Sequence, residues 1–270
     1  MIIKPMIGFC PLASGSKGNS IFIGTKNTRI LIDAGLSLKM LEERLSHIHM
    51  HLRDIDAILI THEHIDHIRA LKTLTSKYSI PIFANSDTAH AILETMDHIP
   101  KFKIFSTGET FEFGDLEIHP FSIQHDTLDP VAFTIETAQL KLGFCTDLGF
   151  ATTLVKNRLQ GCDFLYLEAN HEPSMVHASS RPMVYKQRVL SRQGHLSNAQ
   201  CAELLQDIAC IKLKHLHLAH LSEECNHPQK ALGIIQNTLN TLGLKTELSI
   251  AKQHEISKAV LFHDEPILAQ

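Results

Sequence analysis

The sequence predicts an α/β protein in which two mixed β-sheets pack together and helices cover their outer faces. Strand-like apolar runs recur along most of the chain, and helical patterns lie between or after them. In the middle of the chain a tight connection at residues 136–141 joins two strands, which a strict βαβ array does not contain. Since no change of composition marks a linker, we expect a single domain over residues 1–270.

Ten segments have the apolar, β-branched composition of strands. In chain order the predicted strands are 6–12, 20–24, 29–33, 57–61, 82–84, 116–123, 131–136, 141–146, 164–168 and 215–220.

Six segments have helical periodicity. In the first helix, 38–46, apolar residues recur at positions 38, 41 and 45, and 88–96 and 149–157 are similar. Pro182 suits the first position of a helix over 182–190. Ser197 and Gln200 form a capping box ahead of a periodic run to Cys210, and a last helix is predicted over 228–239.

The composition excludes several classes of protein. Hydrophobic residues make up 44% of the 270, which is enough to bury a core and argues against disorder. No apolar run approaches the 18 residues of a membrane-spanning helix, so we expect no membrane partner. The formal net charge of −4 argues against a polycation that coats nucleic acid. Histidine is the residue type in unusual excess, with 19 residues against 3 tyrosines and no tryptophan.

The cysteines favour a reducing compartment. The six are at least nine positions apart, so the chain contains no CxxC pair and no thiolate zinc motif. We therefore expect free thiols and a cytoplasmic protein.

The strongest chemical signal follows the strand 57–61. It is the run Thr61-His-Glu-His-Ile-Asp-His67, in which His62 and His64 project to the same side of an extended chain. Three imidazoles and the Asp66 carboxylate exceed what one zinc ion needs from a local segment, which favours two adjacent metals. The alternative is a solvated loop rich in histidine and aspartate.

Further candidate ligands stand at or just beyond the ends of distant strands. These are His125, Asp147 and His220. Each alone could be a turn or cap residue, but the recurrence of the pattern together with the 61–67 cluster indicates one shared site.

These motifs resemble those of the metallo-β-lactamase-fold hydrolases, and the resemblance extends over almost the whole chain, including Asp33-Ala-Gly35. It implies a four-layer αβ/βα sandwich with two divalent metal ions at one sheet edge, usually zinc or manganese; iron also suits such ligands. By position, His62, His64 and His125 would bind the first metal. Asp66, His67 and His220 would bind the second, and Asp147 would bridge the two.

Within this superfamily the sequence resembles the YycJ/WalJ group. The PGHTxG-like segment that is usual in glyoxalase II and the lactonases is absent from 123–130, whereas segments 14–20, 167–172, 194–198 and 220–222 look like those of the YycJ/WalJ proteins. That group is regarded as phosphodiesterases, with 5′-to-3′ exonuclease action on DNA proposed. Only 72 residues separate Asp147 from His220, too few for a β-CASP insertion.

The expected reaction is phosphodiester hydrolysis by a hydroxide that bridges two metals. We expect catalysis from Asp66 as a metal ligand, from His195 as the general acid, and from Glu168, which would orient His195 and help to keep it protonated near pH 7. Because Ser197 also explains the segment as a helix cap, a purely structural role for His195 and Glu168 is the alternative.

A basic stretch precedes His195. Residues 173–202 contain no Asp or Glu and four cations, Arg181, Lys186, Arg188 and Arg192, of which the three arginines are predicted to share one helical face. They indicate a phosphate-backbone track for nucleic acid, with DNA favoured over RNA; a solvated face at a helix C-terminus is the alternative. Two other functions stay open, a thioester or lactone hydrolase and a non-catalytic metal-stabilised binding module.

Overall fold

The computed structural model describes residues 6–262. Its strands are β1 Gly8–Ala13, β2 Ser20–Gly24, β3 Arg29–Ile32, β4 Ala57–Leu59, β5 Ile82–Ala84, β6 Phe102–Ile104, β7 Phe111–Phe113, β8 Leu116–Ser122, β9 Val131–Glu136, β10 Lys141–Cys145, β11 Phe164–Glu168, β12 His215–Ala219, β13 Glu247–Ile250 and β14 Val260–Leu261. Its helices are α1 Leu38–His47, α2 Ile65–Ile68, α3 Leu71–Lys77, α4 Ser86–Glu94, α5 Thr153–Leu159, α6 Pro173–Ala178, α7 Met183–Leu190, α8 Asn198–Ile208 and α9 Pro228–Thr241.

The strands form two seven-stranded sheets. The first has the order β14-β1-β2-β3-β4-β5-β6, and β3 to β6 run parallel. The second has the order β13-β12-β11-β10-β9-β8-β7, and β10 to β13 run parallel. The antiparallel hairpins β1–β2 and β8–β9 lie beside the parallel strands of their sheets, so both sheets are mixed.

The core consists of three apolar layers. Side chains of both sheets, such as Phe9 and Phe133, pack between the sheets. Helices α1, α3 and α4 cover the outer face of the first sheet, and α5, α8 and α9 cover that of the second. Every residue of β4 and β12 is buried, as expected for strands covered on both faces. The predicted two-sheet sandwich with outer helices is confirmed.

The element bounds differ from prediction in ways that local chemistry explains. The first strand begins at Gly8 rather than residue 6. Helix α5 begins at Thr153 rather than 149, with Thr152 as its cap, because Gly149 is held by a hydrogen bond from its N–H to Gln124 O at 2.8 Å. Helix α4 begins at Ser86, since the Asn85 side chain caps it. The Ser197–Gln200 capping box is confirmed.

Several short elements lie outside the predicted ranges, namely β6, β7, β13, β14, α2, α3 and α6. Within residues 6–262 no helix is both long enough and apolar enough to cross a membrane.

Candidate metal centre

The polar residues after five strands meet at one edge of the sandwich. Strands β3 and β4 run in one direction in the first sheet, as do β8, β10 and β12 in the second. The residues that follow their carboxyl ends are therefore brought together. They are Asp33 after β3, the 61–67 cluster after β4, His125 after β8, Asp147 after β10 and His220 after β12.

The backbone is strained at this edge. Asp33, Asp147 and His220 have φ angles of 60°, 57° and 53°, in the left-handed region that non-glycine residues rarely adopt. Such a conformation costs on the order of 1 kcal/mol or more per residue and persists where surrounding contacts fix it. Each of these residues leaves a strand by a sharp turn that directs its side chain into the cluster.

The predicted ligands form two groups that Asp147 adjoins. The first group is His62, His64 and His125, and the second is Asp66, His67 and His220; ligand atoms within each group lie within 4.8 Å of one another. Asp147 Oδ2 lies 3.4 Å from His67 Nε2, and Asp147 Oδ1 lies 3.7 Å from His125 Nε2. The structure thus brings together all seven predicted ligands, with Asp147 between the two groups.

Distances within the groups fit metal coordination. His62 Nε2 is 3.1 Å from His64 Nδ1, and Asp66 Oδ2 is 3.6 Å from His67 Nε2 and 4.0 Å from His220 Nε2. Ligand atoms about 2.1 Å from a shared zinc ion can be at most about 4.2 Å apart. All three distances are within this limit.

Hydrogen bonds on the far side of four imidazoles fix their orientation. Nδ1 pairs with Thr61 Oγ1 in His62, Asp33 Oδ2 in His67, Gly194 O in His125 and Glu168 Oε1 in His220, at 2.8–3.1 Å. In a neutral imidazole, an Nδ1–H that donates to such an acceptor leaves Nε2 unprotonated and able to bind metal.

The inward-facing atoms include three without a partner. His125 Nε2, His220 Nε2 and Asp147 Oδ2 are buried and make no hydrogen bond within residues 6–262. Buried polar atoms are normally paired, so these three mark a place where a cation would complete the site. The residues present therefore fit divalent metal ions.

The imidazoles of the first group favour the neutral, metal-binding form. Burial lowers the pKa of His62, His64 and His125 and outweighs the nearby carboxylates, which act in the opposite direction. A neutral imidazole is the form that ligates metal.

Carboxylates surround the two histidines of the second group and raise their pKa. Burial opposes protonation of His67, but Asp33, Asp147 and Asp66 outweigh it and raise the pKa of His67 well above its ordinary value. Burial likewise opposes protonation of His220, whose pKa Asp147 and Glu168 nevertheless raise to about 9. This excess of negative charge suits a cation.

Glu168 connects the ligands to His195. The side chain is completely buried, and Oε1 accepts hydrogen bonds from His195 Nδ1 at 2.8 Å and from His220 Nδ1 at 3.0 Å. Oε2 accepts the N–H groups of Leu148 and Leu196 at 2.8 and 3.0 Å. Burial opposes ionisation of Glu168, yet His195 and His220 lower its pKa to about 2. Both oxygens are occupied, so this is a hydrogen-bonded network and not a third metal site.

His195 lies at the rim of the centre. Its ring centroid is 5.2 Å from that of His125 and 5.1 Å from that of His220, and its side chain is 13% exposed. Because Nδ1 faces Glu168, Nε2 is the nitrogen available to a bound molecule.

The prediction that three arginines share one face of a helix is wrong. Arg181 precedes helix α7 and Arg192 follows it, since Pro182 caps the helix and Leu190 ends it. Arg181 forms an ion pair with Glu224, and Arg188 forms one with Asp126.

The other two cations of the stretch have no carboxylate partner within residues 6–262. Lys186 Nζ donates to the carbonyl of His177 at 2.7 Å, and the Arg192 guanidinium stacks 3.9 Å above the ring of Phe150. Two of the four charges predicted to bind phosphate are thus compensated by carboxylates from elsewhere in the chain.

Two contacts of the site were not predicted, although the segments that contain them were singled out: Asp33 pairs with His67, and the amide of Asn19 lies 3.1 Å from Asp66 Oδ2. In the sequence, Asp33 could have been recognised as a candidate because it stands between a strand and Ala34-Gly35.

A four-layer α/β sandwich that gathers histidines and aspartates at one edge defines a metal-dependent hydrolase of the metallo-β-lactamase fold. Residues 28–220 match the beta-lactamase superfamily domain. The chain belongs to this superfamily and, within it, to the YycJ/WalJ-like group.

Two relatives support this placement. The chain is 36% identical to exodeoxyribonuclease YycJ of Bacillus anthracis over 87% of this chain and 90% of the relative. It is also 36% identical to exodeoxyribonuclease WalJ of Streptococcus pneumoniae serotype 2, over 84% and 86%.

Solved structures show the same fold at low identity. The metallo-beta-lactamase fold protein YhfI from Bacillus subtilis superposes with a TM-score of 0.71 at 14% identity, covering 94% of this chain and all of that one. The Zn²⁺-bound PqqB from Methylobacterium extorquens superposes with a TM-score of 0.68 at 17% identity, covering 93% and 100%.

Proposed function

We propose that this chain is a dinuclear metal-dependent phosphodiesterase that degrades DNA in the 5′-to-3′ direction. We base this on the position of Asp147 between two three-residue ligand groups, which suits a carboxylate shared by two ions. The 36% identical relatives named exodeoxyribonucleases support the choice of DNA as substrate.

His62, His64 and His125 would hold one ion, and Asp66, His67 and His220 the other, with Asp147 between them. Mixed imidazole and carboxylate ligands suit zinc, manganese or iron. When bound, the ions supply a hydroxide nucleophile at neutral pH and neutralise charge on the phosphate.

His195 is the proposed general acid. Cleavage of a phosphodiester leaves an alkoxide, which must be protonated as the P–O bond breaks. His195 Nε2 can give this proton, because the ring lies against His125 and His220 and is partly open to solvent. No ligand role is needed from His195, since the two ligand groups are complete without it.

Glu168 is a positioning residue. It holds the Nδ1–H of His195 and that of His220 on the same carboxylate oxygen, so the proposed acid and one metal ligand share a fixed anchor. Its pKa of about 2 keeps Glu168 ionised at neutral pH, so the carboxylate can accept the Nδ1–H of His195.

Arg192 is the cation of the basic stretch best placed to bind DNA. A Cβ on Gly149 would overlap the carbonyl oxygen of Arg192, which shows how closely the 192–194 backbone approaches the segment after Asp147. A guanidinium held flat on Phe150 can hydrogen-bond a phosphate or stack on a base.

Digestion of end-labelled nucleic acid after metal analysis tests the proposal. The purified chain should contain two divalent ions and should release mononucleotides from the 5′ end of linear DNA, leaving the 3′ label until last. Matched RNA should be degraded more slowly. Closed circular DNA should stay intact, because an exonuclease needs an end.

Two outcomes would contradict the proposal. Cleavage of circular DNA would show an endonuclease. Hydrolysis of S-lactoylglutathione with no release of nucleotides would show the thioester hydrolase instead.

A further inference from the structure

The glycine-rich loop at residues 14–20 between β1 and β2 lies against the second ligand group. Asn19 N donates to the carbonyl of Asp66 at 2.8 Å, and Asn19 Nδ2 lies 3.1 Å from Asp66 Oδ2 and 3.0 Å from His67 Nε2. Ser14 Oγ accepts the N–H of His220 at 2.8 Å. The loop thus contacts all three members of this group.

The orientation of the Asn19 amide is determined by its own loop. Oδ1 accepts the N–H of Gly15 at 2.8 Å, and Nδ2 also donates to the Gly15 carbonyl at 3.1 Å. Of the two terminal amide atoms only Oδ1 can accept the Gly15 N–H, so Nδ2 is the atom that faces Asp66 and His67. The residue is 5% exposed, so this arrangement is shielded from solvent.

Two glycines permit the close approach. A Cβ on Gly35 would overlap the carbonyl oxygen of Asp66 and crowd Asn19 N, and a Cβ on Gly18 would crowd the carbonyl of Gly35. Segments 14–20 and 33–35 therefore touch through their backbones, and a side chain at either glycine would push the loop away from Asp66.

The 14–20 loop does not support the first ligand group in this way. Within residues 6–262, the hydrogen bonds of the 14–20 loop reach Asp66, His67 and His220 but none of His62, His64 and His125. The two groups are therefore held by different parts of the chain.

The two bonds of Asn19 differ in what a metal ion would do to them. His67 Nδ1 is engaged by Asp33, so Nε2 is the nitrogen left for an ion, and an ion bound there would displace the Asn19 amide from it. Since Nδ2 has two N–H groups and one of them faces the Gly15 carbonyl, the other would then be left to Asp66 Oδ2. Asp66 Oδ2 has further lone pairs, so its bond to Asn19 is compatible with coordination.

We propose that the 14–20 loop is a clamp specific for the second metal ion, with Asn19 as a positioning residue that holds the Asp66 carboxylate and Ser14 as one that holds the His220 backbone. This inference rests on the dinuclear centre proposed above. The affinity of the second site depends on the loop, whereas that of the first does not.

Metal uptake distinguishes the two sites without using activity. The wild-type chain, Asn19→Ala, Ser14→Ala and a control, Ser16→Ala, are stripped with chelator and titrated with Mn²⁺ by calorimetry. Ser16 is an exposed residue of the same loop with no side-chain hydrogen bond within residues 6–262. Electron paramagnetic resonance separates a spin-coupled Mn²⁺ pair from an isolated ion.

We expect two equivalents for wild type and Ser16→Ala, with a spin-coupled spectrum. Asn19→Ala and Ser14→Ala should keep one tight site, lose affinity at the other by about 10- to 100-fold, and show an isolated-ion spectrum at one equivalent. Circular dichroism of the stripped proteins checks that all four are folded.

The clamp is overturned if both variants bind two ions with wild-type affinities, or if both variants lose the two ions to the same extent. Uptake of a single equivalent by the wild type would overturn the dinuclear centre and the clamp together.

Discussion

At the scale of single residues, the proposed role of His195 as general acid predicts which nitrogen gives the proton and what its replacement should do. Its Nδ1 is engaged by Glu168, so only Nε2 can give a proton, and the ring adds nothing to either ligand group. Replacement by alanine, His195→Ala, should lower kcat on linear DNA by about 100- to 10,000-fold, the usual contribution of general acid catalysis. Bound metal per chain, measured on the same sample, should not change.

The matched control is His177→Ala, which removes an exposed histidine of α6. If His195→Ala turns over at the rate of this control, the general acid is another group. If His195→Ala loses metal, His195 supports the centre and not the proton transfer.

Arg192 makes a separate prediction about binding. Removing its charge in Arg192→Ala should raise the Kd for DNA roughly tenfold at low salt and reduce the slope of log affinity against log salt by about one. Arg192→Lys keeps the charge but not the flat contact with Phe150, so it should restore the slope and only part of the affinity.

Filter binding over a range of salt concentrations measures both quantities. The control is Lys212→Ala, an exposed cation that precedes β12 and so lies at the opposite edge from His220. Equal effects of Arg192→Ala and Lys212→Ala would show a general loss of charge and no specific contact.

At the scale of secondary-structure elements, strand β12 contains a titratable group away from the metal centre. His217 is fully buried, its Nε2 lies 3.0 Å from the carbonyl of Lys258, and burial and the stacked His215 lower its pKa to about 3. Unfolded chains protonate histidine below about pH 6.5. Between pH 6.5 and 3 the unfolded state therefore binds the extra proton, so stability is lost as the pH falls through this window.

The variant His217→Gln keeps a donor for Lys258 and removes the titration. From pH 7 to pH 5 its free energy of unfolding should fall by about 2 kcal/mol less than that of the wild type. Urea unfolding at the two pH values measures this difference, and the exposed His90→Gln serves as control. A wild-type pH dependence in His217→Gln would show that His217 is not responsible.

How far the elements could be predicted depends on where their stabilising contacts lie. All ten predicted strands exist, because each contains a run of apolar residues long enough to be covered on one or both faces. Strands β6 and β7 are three-residue edge strands that are only partly buried, and β14 is a two-residue strand that pairs with β1. Their pairing partners, not their own composition, make them strands.

The same distinction applies to the site. The 61–67 cluster and the residues after β8, β10 and β12 were visible because each is local to a strand end. The role of Asn19 depends on its approach to Asp66, 47 positions away, and no spacing rule contains that contact. The charges of Arg181 and Arg188 were visible, but their partners Glu224 and Asp126 were not.

At the scale of the whole molecule, bound metal should stabilise the fold. The cluster contains buried atoms that a cation would pair, so metal ions would bind the folded chain and not the unfolded one. At a free metal concentration 100 times Kd, each site adds about 2.7 kcal/mol, and chelation should lower Tm by roughly 5 to 10 °C per site.

Differential scanning fluorimetry with and without chelator measures the shift. The control is Asp147→Asn, which should show a smaller response because the residue between the two groups loses its charge. An unchanged Tm in wild type after full removal of metal would contradict the coupling.

The division of the chain between the two sheets has a practical consequence. Apart from β14, the first sheet is built from residues before 105 and the second from residues after 110. Each ligand group takes two members from the first part of the chain and one from the second. Asp147, which lies between the groups, also belongs to the second part. A chain divided in the 105–110 turn would therefore yield two pieces that are each inert, and nuclease activity would report their reassociation, as in a split reporter enzyme.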